Sequence, residues 1–178
     1  MLRVIEEQLP GSDHGGHSIL AYAALAGEPN LDSTIDDFLS RGGTVYLPVV
    51  TEVGRALRFG TVTESMRTLT PHGKWGIREP SPQLSGIELL SAEVAIDLAF
   101  VPALGFGAEG ARLGNGGGFY DRTFGPQGEA PLAVGPSVWG VCFAAELELP
   151  GLRSEPWDLQ ITRAVTERGV HTFESLGE

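Results

Sequence analysis

The residues with the greatest capacity for chemistry lie together in Arg112-Leu113-Gly114-Asn115-Gly116-Gly117-Gly118-Phe119-Tyr120-Asp121-Arg122. Glycines at 114, 116, 117 and 118 strip the Cβ atoms from a short path, so backbone N–H groups can turn inward around an anion. Arg112 and Arg122 bracket the path with positive charge, and Asp121 adds a hard oxygen ligand of the kind Mg2+ prefers. Polyphosphate, divalent metal and glycine path fit together. A glycine run alone is most often a flexible surface turn, but such a turn has no need of the pair Phe119-Tyr120 followed at once by Asp-Arg. The loop also lacks the Gly-Lys-Ser/Thr ending of a P-loop kinase.

Elements on either side must position this path. Val-Ala-Ile-Asp-Leu-Ala-Phe-Val over 94–101 reads as a buried parallel strand that exits at Pro102 and Gly105. The glycine path then hangs from the C-terminal edge of that strand, where open α/β sheets bind ligands. Upstream, the apolar run Ser18 to Ala26 is compatible with either a buried strand or a helix. Glu28 follows it, a carboxylate at the end of a buried element, for which a solvated loop acid is the ordinary reading. A helix is predicted from Leu31-Asp32-Ser33, with Ile35, Phe38 and Leu39 at helical spacing and Gly42-Gly43 as its stop.

Thr44 to Val50 and Leu57 to Val62 are predicted strands, with Pro48 near the C-terminal end of the first. A polar stretch with a short helix runs from Thr63 to Lys74. In the unit Lys74-Trp75-Gly76-Ile77-Arg78-Glu79-Pro80, Arg78 can meet a phosphate or a neighbouring acid. Val138 to Phe143 reads as a strand, Asp158 is a second isolated acid after a turn, and Ile161 to Thr166 with Gly169 to Phe173 read as a terminal hairpin. His14 and His17 share a helical spacing, but Gly15-Gly16 breaks a helix there and no third ligand is near, which argues against a metal.

Composition bounds the remaining choices. At 178 residues the chain suits one domain. The first 17 residues are expected to be a shortened or poorly ordered segment. The fold class expected is α/β, a single domain over 1–178 with an open, mostly parallel sheet and helices on both faces. Asp and Glu outnumber Lys and Arg by 23 to 12, a field that repels nucleic-acid backbone. No run approaches membrane-spanning length. Cys142 is the only cysteine and sits in the apolar run Val138-Trp-Gly-Val-Cys-Phe, so it reads as structural, and the setting reads as cytoplasmic.

Taken together, these pieces resemble the 5-formyltetrahydrofolate cyclo-ligase family, also called methenyltetrahydrofolate synthetase. The most specific element is Arg112 to Arg122, which looks like the family's Arg-Leu-Gly-x-Gly-x-Gly-x-Tyr-Asp signature. Leu47-Pro48-Val49, Gly76-Ile77-Arg78-Glu79-Pro80, Val101-Pro102 with Phe106, and Trp157-Asp158 followed by Val165-Thr166-Glu167 support it. The resemblance implies conversion of 5-formyltetrahydrofolate to 5,10-methenyltetrahydrofolate with ATP hydrolysed to ADP and phosphate. It implies that Arg112, Leu113, Gly114, Asn115, Gly116, Gly117, Gly118, Phe119 and Tyr120 hold the ATP phosphates, with Arg112 and Tyr120 as catalytic residues. Asn115 to Phe119 would also face the folate, Glu28 would hydrogen-bond the pterin, and Asp121 and Asp158 would hold Mg2+. The family usually begins with a helix whose Lys and Arg reach the ATP phosphates, whereas Arg3 is the only Lys or Arg here before Arg41. A non-catalytic folate- or nucleotide-binding relative is therefore the alternative expectation.

Overall fold

Strands that are apolar on both faces need a layer covering each side, and alternation of side chains along a strand supplies the two layers with separate sets of residues. The computed structural model describes residues 1–11, 13–132 and 135–173. In chain order its elements are α1 (Leu2–Gln8), β1 (Ser18–Leu20), α2 (Asp32–Ser40), β2 (Thr44–Val49), β3 (Arg58–Val62), β4 (Pro71–His72), β5 (Ile77–Arg78) and α3 (Gly86–Leu89). These are followed by β6 (Leu98–Pro102), β7 (Gly105–Phe106), β8 (Arg112–Leu113), α4 (Phe119–Phe124), β9 (Ser137–Val141), β10 (Arg163–Thr166) and β11 (Gly169–Thr172).

Seven strands form one sheet in the order β11-β10-β9-β6-β1-β2-β3. The four inner pairings from β10 to β2 are parallel, and at the sheet margins β2–β3 and β10–β11 run antiparallel. On one face Ile19, Leu98 and Phe100 pack with Val4 and Ile5 of α1 and Ile35 and Phe38 of α2. On the other, Leu20, Ala99 and Val101 pack with Leu89 of α3 and Phe124 of α4. The α/β class, the mostly parallel sheet and the helices on both faces thus follow from the alternation within β1 and β6.

The side on which successive strands are added reverses at the centre. From β1 the chain passes through α2 to β2 on one side, whereas from β6 it passes through α4 to β9 on the other. The C-terminal ends of β1 and β6 therefore flank a topological switch point, where nothing crosses over the sheet edge and a crevice is left.

Two local expectations change. The buried strand expected from 94 begins only at Leu98, because Ala95 takes a positive φ of 48° and the Asp97 carboxylate accepts the Ser18 N–H at 2.9 Å. The run Ser18 to Ala26 contributes just three strand residues before a buried non-regular segment. Residues 2–8 form α1 with Val4 and Ile5 buried. His14 stacks on Phe38 of α2 at 4.7 Å between ring centroids, and His17, just before β1, faces Asp97 at 3.2 Å, so the two imidazoles have structural partners.

Candidate active site

The glycine path leaves the β7–β8 hairpin and enters α4. Gly116 has φ 77° and Gly118 φ 61°, left-handed conformations in which a Cβ crowds the backbone. Gly118 caps α4, and a Cβ there would also come within 2.9 Å of the Arg122 guanidinium. Among the described residues, none of the backbone N–H groups of Gly114 to Gly118 donates to a protein acceptor. These donors stand ready for an anion.

The two arginines divide the work. Arg122 lies over the Phe119 ring at 5.5 Å and donates to the Gly117 carbonyl, so it braces the path from outside. Arg112 is only 7% exposed. Its Nη2 donates to both oxygens of Asp121 at 3.2 Å, its Nη1 reaches the Pro102 carbonyl at 3.4 Å, and its guanidinium sits 5.2 Å from the Tyr120 ring centre. Arg112 Nε and the Tyr120 hydroxyl are buried with no hydrogen-bond partner among the described residues. Burial, aided by the negative field of Glu28, raises the Tyr120 pKa, so this phenol remains a neutral donor. Two buried donors without protein partners, beside a cradle of free amides, favour an acceptor-rich group at this place.

A cavity of about 390 Å3 opens at the switch point. Its walls include Tyr22 and Ala23 after β1, Pro48 and Val50 at the end of β2, Pro102 at the end of β6, and the entire path from Arg112 to Asp121. Glu28 enters this wall although it lies 87 residues from Asn115, whose amide donates to it at 2.9 Å. Its second oxygen accepts the Leu25 N–H at 2.9 Å. Burial raises the Glu28 pKa, with both hydrogen bonds and the Arg112 charge opposing the shift. Trp75, 40% exposed, meets the Phe119 ring edge-on at 5.6 Å and forms a flat apolar margin. A half-apolar slot closed by an aromatic pair and edged by a carboxylate suits a planar heterocycle with N–H donors.

The metal ligands implied by the resemblance are arranged unequally. Asp121 lies in the cavity wall, held by Arg112 and by the Leu159 N–H at 3.1 Å. That last contact brings Asp158, the residue before Leu159, to the same end of the site. The Asp158 carboxylate accepts the Glu155 N–H at 2.8 Å and caps its own turn. Among the described residues no three His, Cys, Asp or Glu side chains form a ready metal cage. This donor set fits Mg2+, which commonly takes one or two carboxylates and completes its shell with phosphate oxygens and water.

Every path residue and Glu28 thus meet at one cavity, with Asp158 reached through its neighbour. Several wall residues had no assigned role from sequence: Tyr22, Val50, Leu57 and Glu79. Arg78 points away from the cavity and forms a two-pronged pair with Asp32 of α2, at 2.7 and 2.9 Å. This pairing frees the adjacent Glu79 to face inward, where its Oε1 accepts the Val50 N–H at 2.9 Å. The signal available for Glu79 was its alternation with Arg78 in a short extended unit.

Comparison with known proteins bears on the family and the fold. Residues 12–167 match the model of the 5-formyltetrahydrofolate cyclo-ligase family. The 5-formyltetrahydrofolate cyclo-ligase of Mycolicibacterium smegmatis is 32% identical over 164 residues, covering 91% of this chain and 80% of that protein. The Escherichia coli K12 protein of the same name is 29% identical over 157 residues, covering 86% and 80%. In fold, the chain resembles the 5,10-methenyltetrahydrofolate synthetase of Aquifex aeolicus with a TM-score of 0.65 at 24% identity, covering 99% of this chain and 82% of that one. With the signature path and the cavity both lying within the matched span, the chain belongs to the 5-formyltetrahydrofolate cyclo-ligase family, ligases of folate one-carbon metabolism.

Proposed function

We propose that this chain converts 5-formyltetrahydrofolate to 5,10-methenyltetrahydrofolate with ATP and Mg2+, releasing ADP and phosphate in the cytoplasm. The observation that carries this reading is the cavity in which the orphaned Arg112 Nε and Tyr120 hydroxyl adjoin the glycine amides, while the Glu28–Asn115 pair adds a second polar group to the same wall. An acceptor-rich polyphosphate suits the first set, and a donor-bearing pterin edge suits the second. The acidic surface argues against nucleic acid, and among the described residues no helix is long and apolar enough to cross a membrane.

Phosphoryl transfer asks a protein for alignment and charge neutralisation more than for covalent help. The formyl oxygen takes the γ-phosphoryl group as the bond to ADP breaks. N10 then attacks the activated carbon, and phosphate departs with the C–O electron pair as the ring closes. Arg112 and Tyr120 act as preorganised donors at the charge that builds on the transferred oxygens. The amides of Gly114 to Gly118 bind the phosphates, and Asn115 to Phe119 also line the folate side. Asp121 and Asp158 would hold Mg2+, whose charge offsets that of the phosphates. Arg112 has a double use in this scheme, since it orients Asp121 while presenting Nε.

The test follows absorbance of the methenyl product from purified protein, 5-formyltetrahydrofolate and Mg2+, with and without ATP. Product that grows only with ATP is the expected result. Folded protein that binds folate but forms no product would favour the non-catalytic relative, and absence of folate binding would refute both readings.

A further inference from the structure

Ring closure leaves one proton to be disposed of. N10 is a secondary amine when it attacks, and the N10–C bond it forms makes it cationic until its proton departs. Three carboxylates line the cavity: Glu28, Glu79 and Asp121. Both oxygens of Glu28 are engaged, by Asn115 and the Leu25 N–H. Both oxygens of Asp121 are engaged too, by Arg112 and the Leu159 N–H. Glu79 differs. Its Oε1 is fixed by the Val50 N–H at 2.9 Å, and its Oε2 has no hydrogen-bond partner among the described residues. Tyr22 is occupied as a donor to the Pro29 carbonyl.

We propose that Glu79 is the general base that accepts the N10 proton as the ring closes, an inference that rests on the function proposed above. Glu28 follows β1 in the cavity wall, and Glu79 is held there by Val50, just past the end of β2. A substrate held by its ring edge at Glu28 extends along the C-terminal ends of these neighbouring strands toward Glu79. The N10–C bond forms, the C–O bond breaks with its electron pair leaving on phosphate, and the N10 proton passes to Oε2. The resulting carboxylic acid then returns the proton to solvent.

The surroundings suit a carboxylate that must gain and lose a proton. Burial raises the Glu79 pKa, opposed by the Val50 hydrogen bond and the charge of His72 on β4. Arg78 beside it is committed to Asp32, and Arg58, which pairs across the ladder with Val49, stands next to Glu88 in its field. The same cavity is lined by Glu28, Tyr22, Tyr120 and the Arg112–Asp121 pair. A base poised closer to neutrality takes up a proton more readily than an ordinary glutamate.

Glu79→Gln preserves an acceptor for the Val50 N–H and removes only the base. The wild-type protein is assayed first for ATP-dependent methenyl formation, and the variant is then compared for kcat across pH, phosphate release and folate binding by tryptophan quenching. The expected result is a fall in kcat of about 10²–10⁴-fold with folate binding retained. The acid limb of kcat should vanish, and phosphate release should outrun methenyl formation as the activated substrate is lost to water. Acetate should restore part of the activity of Glu79→Ala. Wild-type turnover with an unchanged kcat and acid limb in Glu79→Gln overturns this proposal alone, as does a loss confined to folate binding. No product from the wild-type protein overturns the proposed function and this inference together.

Discussion

Replacing Arg112 with lysine tests the claim that its fork, and not merely its charge, builds the site. Lysine keeps one positive charge and three N–H donors, but these radiate from one nitrogen, whereas the guanidinium reaches Asp121, Pro102 and the cavity from three separate nitrogens. The Pro102 contact at 3.4 Å is long and contributes little. The Asp121 pair at 3.2 Å and the orphaned Nε are the substantial losses. Hydrogen bonds to charged groups are each worth about 1.5–3 kcal/mol, so two of them forfeit roughly 3–6 kcal/mol at most. Lysine re-forms part of the Asp121 contact, and a net loss of about 2–4 kcal/mol corresponds to about a 30- to 1000-fold fall in kcat/KM. The assay is methenyl formation at varied ATP, with urea unfolding measured alongside. Because Nε is assigned to the phosphate, the fall in kcat/KM for ATP should exceed any loss of stability. A folded Arg112→Lys protein whose kcat/KM for ATP stays within about twofold of wild type would refute the reasoning.

Gly118→Ala forces a side chain into a left-handed residue that caps α4, so urea unfolding should show a loss of about 1–2 kcal/mol; an equally stable variant would mean that the path relaxes freely. Glu28 tests the sign of a pH effect. Burial raises its folded-state pKa above the ordinary 4.5, so the folded chain holds this proton more tightly than the unfolded one. Its contribution to stability is fully present below 4.5 and is lost as pH rises through the raised value. Glu28→Gln cannot ionise, so its stability relative to wild type should climb with pH across that window and level off above it; parallel profiles would contradict this. Cys142 is fully buried and its thiol is pushed up to about 12, so iodoacetamide at pH ~8 should label it only after unfolding, as read by mass spectrometry.

The glycine path was legible because its chemistry is local. Four glycines, two arginines and an aspartate within eleven residues fix the backbone freedom, charge and ligand type wherever the fold carries them. Helix α2 and the β10–β11 hairpin were legible for a similar reason, since their periodicity and turns are short-range properties. The strand at 94 was misjudged at its start because apolar character persists through Val94-Ala95-Ile96, while the turn there depends on an Asp97–Ser18 bond to another strand.

The sequence by itself determined the α/β class, the signature path, the strand from which it hangs and the family resemblance. Only the tertiary structure decided which residues share the cavity. Glu28 reads as an ordinary loop acid until β1 and β6 become neighbours and bring it to Asn115. Glu79 gains its inward position because Arg78 is drawn to Asp32, 46 residues away. Such contacts arise from strand order and from the satisfaction of buried polar groups across the whole chain, and neither leaves a mark in the spacing of nearby residues.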